Sequence, residues 1–124
     1  MLTGGSNCKG VTFTVKDGGQ CVSACHCTQC RKQSGHHWAS GCSTMQNFEI
    51  TGDVRCFAAS ETAKRGFCPR CGCFLFWKAH AEEGMSFSLG VIDGPTGLEL
   101  QKHIFVADEG DYYKIADDVP QREQ

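Results

Sequence analysis

Three cysteines fall within six residues at Cys25-His26-Cys27-Thr28-Gln29-Cys30, and two cations, Arg31 and Lys32, follow at once. If this segment is extended and runs into a turn, Cys25 and Cys27 point to one face, because side chains alternate along a strand, and Cys30 returns toward them from the turn. Three soft ligands then converge on one point. Three thiolates with no obvious local fourth ligand are the arrangement expected of a zinc ion that keeps one position open to a ligand or substrate. The alternative is a purely structural ion whose fourth ligand comes from far along the chain.

Ten cysteines in 124 residues approach the density of a secreted disulfide scaffold. The spacings argue otherwise. C-x-C and C-x2-C are ligand spacings, and two cysteines at i and i+2 on an extended chain sit too far apart for ordinary disulfide geometry. The start, Met1-Leu2-Thr3-Gly4-Gly5-Ser6-Asn7, lacks the apolar run of a secretory signal. No window approaches the roughly 20 apolar residues of a membrane helix. A cytoplasmic protein with reduced thiols is the expectation.

Phe67-Cys68-Pro69-Arg70-Cys71-Gly72 has the form of a zinc knuckle: two cysteines three apart, Pro69 fixing the entry to the turn, and Gly72 permitting a left-handed backbone that lets amides face the sulfurs. A knuckle supplies two ligands. Cys8, just before the first strand, is the natural third, but the position two before it is Ser6, a poor zinc ligand. The fourth ligand is then absent or comes from Cys73 or Cys56. Cys73 reads equally well as a small buried residue, and Cys21, Cys42 and Cys56, which are isolated, read as packed thiols.

Length predicts one domain over residues 1–124. A net charge of −2 provides no basic field to attract nucleic acid or anionic lipid, so neither is expected as a partner. The residues predict a mostly β fold. Gly10–Val15 alternates apolar with polar and reads as a strand, with a hairpin partner running from Gln20 into the cysteine cluster. Arg31–Gly35 reads as a turn or one short helical turn, and 36–42 as a strand. Asn47–Thr51 and Val54–Phe57 read as a hairpin about Gly52-Asp53. Cys73–Trp77, Met85–Leu89 and His103–Val106 read as further strands, and the tail from Ala116 is polar and expected to be loosely ordered.

His26, between two ligand positions, should point away from them; His36 and His37 line a pocket or form an exposed pair, and His103 could reach the site from across a sheet. Arg31 and Lys32 favour an anionic ligand or offset the charge of three thiolates.

Taken in order, the Gly-rich start with Cys8, then Cys25-His26-Cys27-Thr28-Gln29-Cys30-Arg31-Lys32, Arg65-Gly66-Phe67-Cys68-Pro69-Arg70-Cys71-Gly72, Asp93 in Val91-Ile92-Asp93-Gly94-Pro95, and His103-Ile104-Phe105 resemble the glutathione-dependent formaldehyde-activating enzyme family, also called the centromere protein V family. The resemblance runs from about Gly4 to Pro120. It implies a single mostly β domain similar to the Mss4-like group, small sheets pinned by zinc. It also implies two zinc sites, a structural one at Cys8, Cys68, Cys71 and a cysteine two residues before Cys8, and a catalytic one at Cys25, Cys27 and Cys30. Ser6 departs from that pattern, leaving three cysteines or Cys73 as the replacement. The activity implied is a carbon-sulfur lyase run in the synthetic direction, joining glutathione and formaldehyde into S-(hydroxymethyl)glutathione. Arg31 and Lys32 would engage a glutathione carboxylate, and a homodimer is compatible with the resemblance. Two readings from other classes stand beside it: a non-enzymatic zinc-binding module associated with chromatin or cytoskeleton, and a glutathione-binding carrier. Against the module, the chain has no basic or Pro-rich extension.

Overall fold

A computed structural model describes every residue from Met1 to Gln124. The fold is mostly β: ten short strands and one helix of seven residues, with three single 3-10 turns. The chain divides into two compact units, Met1–Gln20 with Gly41–Gly97, and Cys21–Ser40 with Leu98–Gln124.

In the first unit, β1 (Leu2–Gly5), β2 (Thr12–Val15) and β5 (Phe48–Thr51) form a three-stranded sheet with β2 in the middle, antiparallel to both neighbours. The alternation of β2 does what its sequence predicts, with Phe13 and Val15 buried and Thr12 exposed. A second antiparallel run has β6 (Arg55–Ala58), β7 (Ala63–Phe67), β8 (Phe74–Ala79) and β9 (Gly84–Ser88) side by side. Phe13, Phe48, Phe76 and Phe87 meet edge to face or tilted, with Phe13 and Phe76 centroids 5.0 Å apart. Rings this close add to their area burial, and they explain why Gly19 and Gly41 are glycines: a Cβ at either would lie 2.8 Å from the Phe87 ring.

The second unit carries β3 (Gln20–Cys25) from its second residue, the helix α1 (Thr28–Ser34), the start of β4 (Trp38–Thr44), and β10 (Lys102–Ile104). β3 lies between β10 and β4, and its pairing with β10 is parallel, placing His103 opposite Ala24 and Ile104 opposite Cys25. The tail is tied down where a loose end is expected. Gln121 bridges His103, the His103 amide donates to Pro120 O, and the Arg122 amide donates to His103 O.

Several local expectations are corrected. β2 does not pair with the strand that enters the cysteine cluster, because β1 and β5 already occupy its two edges. The strands flanking Gly52-Asp53 are not a hairpin: β5 pairs with β2, and β6 pairs with β7. Cys21 and Cys42, expected as packed thiols, are disulfide-bonded, and the other eight cysteines are free. Ligand spacing argues against disulfides only inside the clusters, and these two stand outside them. No helix is long and apolar enough to cross a membrane.

Gly52 marks the most restrictive backbone position. It sits at φ 103°, and a Cβ there would fall 2.1 Å from the Gly10 carbonyl oxygen. Gly52→Ala is therefore expected to cost about 2–4 kcal/mol, read as a lower denaturation midpoint. Gly72, also left-handed at φ 78° but facing open space, is the control: its alanine variant carries only the backbone strain of about 1–2 kcal/mol.

Candidate functional site

Two groups of three sulfurs converge, one in each unit. Cys25, Cys27 and Cys30 place their Sγ atoms within 4.8 Å of one another, and so do Cys8, Cys68 and Cys71. Thiolates tetrahedrally bound to zinc at about 2.3 Å lie about 3.8 Å apart, so both trios fit the ion.

The first trio is built at a strand-to-helix junction. β3 ends at Cys25, Cys27 is the N-cap of α1, and Cys30 lies in the first helical turn. The expected strand alternation of Cys25 and Cys27 is replaced by this junction, yet the sulfurs converge as proposed. The helix starts at Cys27 because its sulfur accepts the Cys30 amide at 3.4 Å, and it stops at Gly35, which adopts φ 80° and donates to Arg31 O. Hydrogen bonds from the Cys25 and Cys30 thiols, with the Cys30 and Gln29 amides, hold the Cys27 thiol far below its usual range. The same bond with Cys27 keeps Cys25 protonated, its thiol far above the usual range. Cys27, whose thiol is the lowered one of this bonded pair, is half-buried, while Cys25 and Cys30 are buried.

The cations separate by helical geometry. One residue past Cys30, Arg31 is half-buried, and its Nε is buried with no partner. Lys32, about 200° around the helix from Cys30, is exposed.

Histidines flank this trio in the same unit. His26 and His103 are 1% and 3% exposed. His26 Nε2 lies 2.9 Å from His103 Nδ1, His26 Nδ1 lies 2.8 Å from the Tyr113 hydroxyl, and His103 Nε2 lies 3.0 Å from both Asp117 carboxylate oxygens. The His26 and Tyr113 rings stack at 5.6 Å, and His36 and His37 extend the cluster, His36 meeting Tyr113 edge to face at 4.2 Å. Burial first, and then the neighbouring His37, His103 and His36 rings, lower the His26 imidazole to about 4. Burial likewise lowers His37, whose Nδ1 has no partner. The bond from His103 holds the Asp117 carboxyl below its usual value. His103, expected to reach the site from across a sheet, meets His26 from the neighbouring strand and is not among the converging ligand atoms. Tyr113 and Asp117 carried no signal in a polar tail.

The second trio joins the knuckle to the N-terminal segment. Gly72 takes the left-handed conformation expected of it and donates to Cys68 O at 2.8 Å. Cys8 and Cys68 sulfurs are 3.6 Å apart, and the Gly10 amide points at Cys8 Sγ. Burial opposes ionisation of Cys68, but bonds from the Ser6 hydroxyl and the Cys71 and Arg70 amides outweigh it and bring the thiol down to about 6. Ser6, 1% exposed, lies 3.7 Å from Cys8 Sγ, its oxygen accepting the Val11 amide. Cys73, the replacement considered from sequence, is not among the converging sulfurs. It lies instead with Ser6, Lys9 and Asp93 in the wall of an open cleft of about 280 Å³. Burial raises its thiol, as for a packed cysteine. Cys56 is exposed and stands apart from both trios.

A crystal structure of a Rhodobacter sphaeroides protein superposes with a TM-score of 0.60 at 18% identity, covering 75% of this chain and 89% of that one, which establishes a shared fold. No curated protein matches the chain. The family model described as glutathione-dependent formaldehyde-activating enzyme matches residues 1–108, a span that takes in both thiol trios, and the chain therefore belongs to that family.

Proposed function

We propose that this chain is a zinc-dependent carbon-sulfur lyase of the cytoplasm that joins glutathione, or a closely related thiol, to formaldehyde at Cys25, Cys27 and Cys30. The observation that carries the reading is the convergence of three sulfurs at one strand-to-helix junction, with no fourth protein ligand among them. Zinc held there would supply a fourth position at which a substrate thiol is kept as thiolate near neutral pH. In the reaction a carbon-sulfur bond forms as the carbonyl π pair moves onto oxygen, which takes up the proton the thiol released. The second zinc, at Cys8, Cys68 and Cys71, is structural.

The chain's own part is to bind and orient the thiol. Arg31 Nε and His37 Nδ1 are buried polar atoms without partners, a state that costs about 1–3 kcal/mol for each unless a ligand atom satisfies it. A glutathione carboxylate accepting from Arg31 would satisfy the first, and a polar group of the same ligand the second. Lys32, exposed on the far side of α1, would act only as a longer-range attraction.

Cobalt substitution tests this. Glutathione is expected to change the sulfur-to-cobalt absorption of the loaded protein, and S-methylglutathione, which offers no thiol, to leave it unchanged. A spectrum indifferent to glutathione would mean two closed structural sites and would sink the enzymatic reading.

A further inference from the structure

The hydrogen bonds around His26 can be given a direction. An ionised Asp117 carboxylate can only accept, so His103 Nε2 carries the proton that bonds it. In a neutral His103 the other nitrogen, Nδ1, is then an acceptor, and His26 Nε2 must donate to it. That leaves His26 Nδ1 as an acceptor, filled by the Tyr113 hydroxyl. Every donor meets an acceptor with both histidines neutral: Tyr113 to His26, His26 to His103, His103 to Asp117. With a neutral His103 the opposite direction would leave the Asp117 carboxylate facing a bare nitrogen.

Both ends of this chain of bonds come from one segment. Tyr113 and Asp117 lie beyond residue 108, where the family match ends. The segment is tied to its own unit by main-chain bonds between His103 and Pro120 and Arg122, by a bond from Val106 to Arg122, and by the Tyr112 hydroxyl on Gly35 O, the cap of the helix that bears Cys30. The middle of the chain of bonds, His26, is the residue between Cys25 and Cys27. Its amide is also fixed, donating to Ile104 O.

We infer that the C-terminal segment is a working part of the thiol centre: Tyr113, His103 and Asp117 are positioning residues that lock His26 in one tautomer and orientation and so fix the backbone from which Cys25 and Cys27 project. Metal centres demand ligand placement within about 0.5 Å, and partners outside the ligand set commonly decide it. The role rests on the reading that Cys25, Cys27 and Cys30 hold the metal.

Three variants test it: Tyr113→Phe, which removes the donor but keeps the ring, Asp117→Ala, and Asp117→Asn, whose amide oxygen can still accept from His103. Nitrogen-15 spectra of histidine-labelled protein are expected to show His26 and His103 each carrying a proton at Nε2 in the wild type, with His26 Nδ1 bare. His26 should lose that single state in Tyr113→Phe. Cobalt affinity at the Cys25, Cys27 and Cys30 centre is expected to fall about tenfold in Tyr113→Phe and Asp117→Ala, the lower end of such outer effects, and to return in Asp117→Asn. Far-ultraviolet circular dichroism checks that each variant is folded. An Nδ1-protonated His103 in the wild type, or unchanged cobalt affinity in both damaging variants, overturns the inference while the metal reading stands. A wild type that takes up no cobalt at these three cysteines overturns both.

Discussion

Cys27→Ser is expected to remove metal from one of the two centres and to lower the rate of glutathione-dependent formaldehyde consumption by at least about 100-fold, with the fold intact. The choice of residue and replacement matters. Cys27 is the half-buried member of its trio, with a lowered thiol, and also the N-cap of α1, where it accepts the Cys30 amide. Serine is among the best N-cap residues, so its hydroxyl can keep that bond while withdrawing a soft ligand. Cys25→Ser or Cys30→Ser would place a hydroxyl in a buried site and confuse loss of metal with loss of packing. Metal content per chain, circular dichroism and turnover, measured on the same preparation, separate the two. A Cys27→Ser protein that binds glutathione and turns over normally would refute the assignment.

Ser6→Cys should act in the opposite direction on the other centre. Structural zinc in a four-ligand peptide site is worth about 10–16 kcal/mol, so one ligand carries about 3 kcal/mol, or about 100-fold in affinity. Ser6 stands 3.7 Å from Cys8 Sγ and is fully enclosed, so a cysteine introduced there starts beside the sulfurs it must join. The thiolate can also go on accepting the Val11 amide that the serine oxygen now accepts. Competition with a chromophoric chelator is expected to show one centre tightened by about two orders of magnitude and the other unchanged. No tightening would indicate that the fourth vertex lies elsewhere.

What could be read from sequence was whatever depends on near neighbours. The left-handed Gly72, the alternation of β2 and the convergence of Cys25, Cys27 and Cys30 follow from residues within a few positions of one another. Pairing partners do not. A Gly-Asp pair between two β-prone runs signals a turn, and Gly52 does turn, but β5 and β6 then go to different sheets, β5 beside β2 and β6 beside β7, partners distant in sequence or on the other side of the turn. The start of α1 was hidden because cysteine is not a usual cap, and only the helix geometry shows its sulfur accepting the Cys30 amide. Tyr113 and Asp117 sit in a polar stretch with no periodicity, and their meaning comes entirely from the two histidines they face.

The parallel pairing of β10 with β3 has a consequence for how the molecule is made. A ribosome delivers Cys25, Cys27 and Cys30 within a few residues of each other, whereas β10, Tyr113 and Asp117 emerge only after β4 to β9 have been made. At about 5–20 residues per second the three thiols wait on the order of several seconds before the groups that hold their loop exist. During that interval the nascent chain presents reduced sulfurs on an unbuttressed segment, open to oxidants and to adventitious soft cations as well as to zinc. Production of intact protein should accordingly depend on the thiol and metal balance of the host during translation, before any native stability applies.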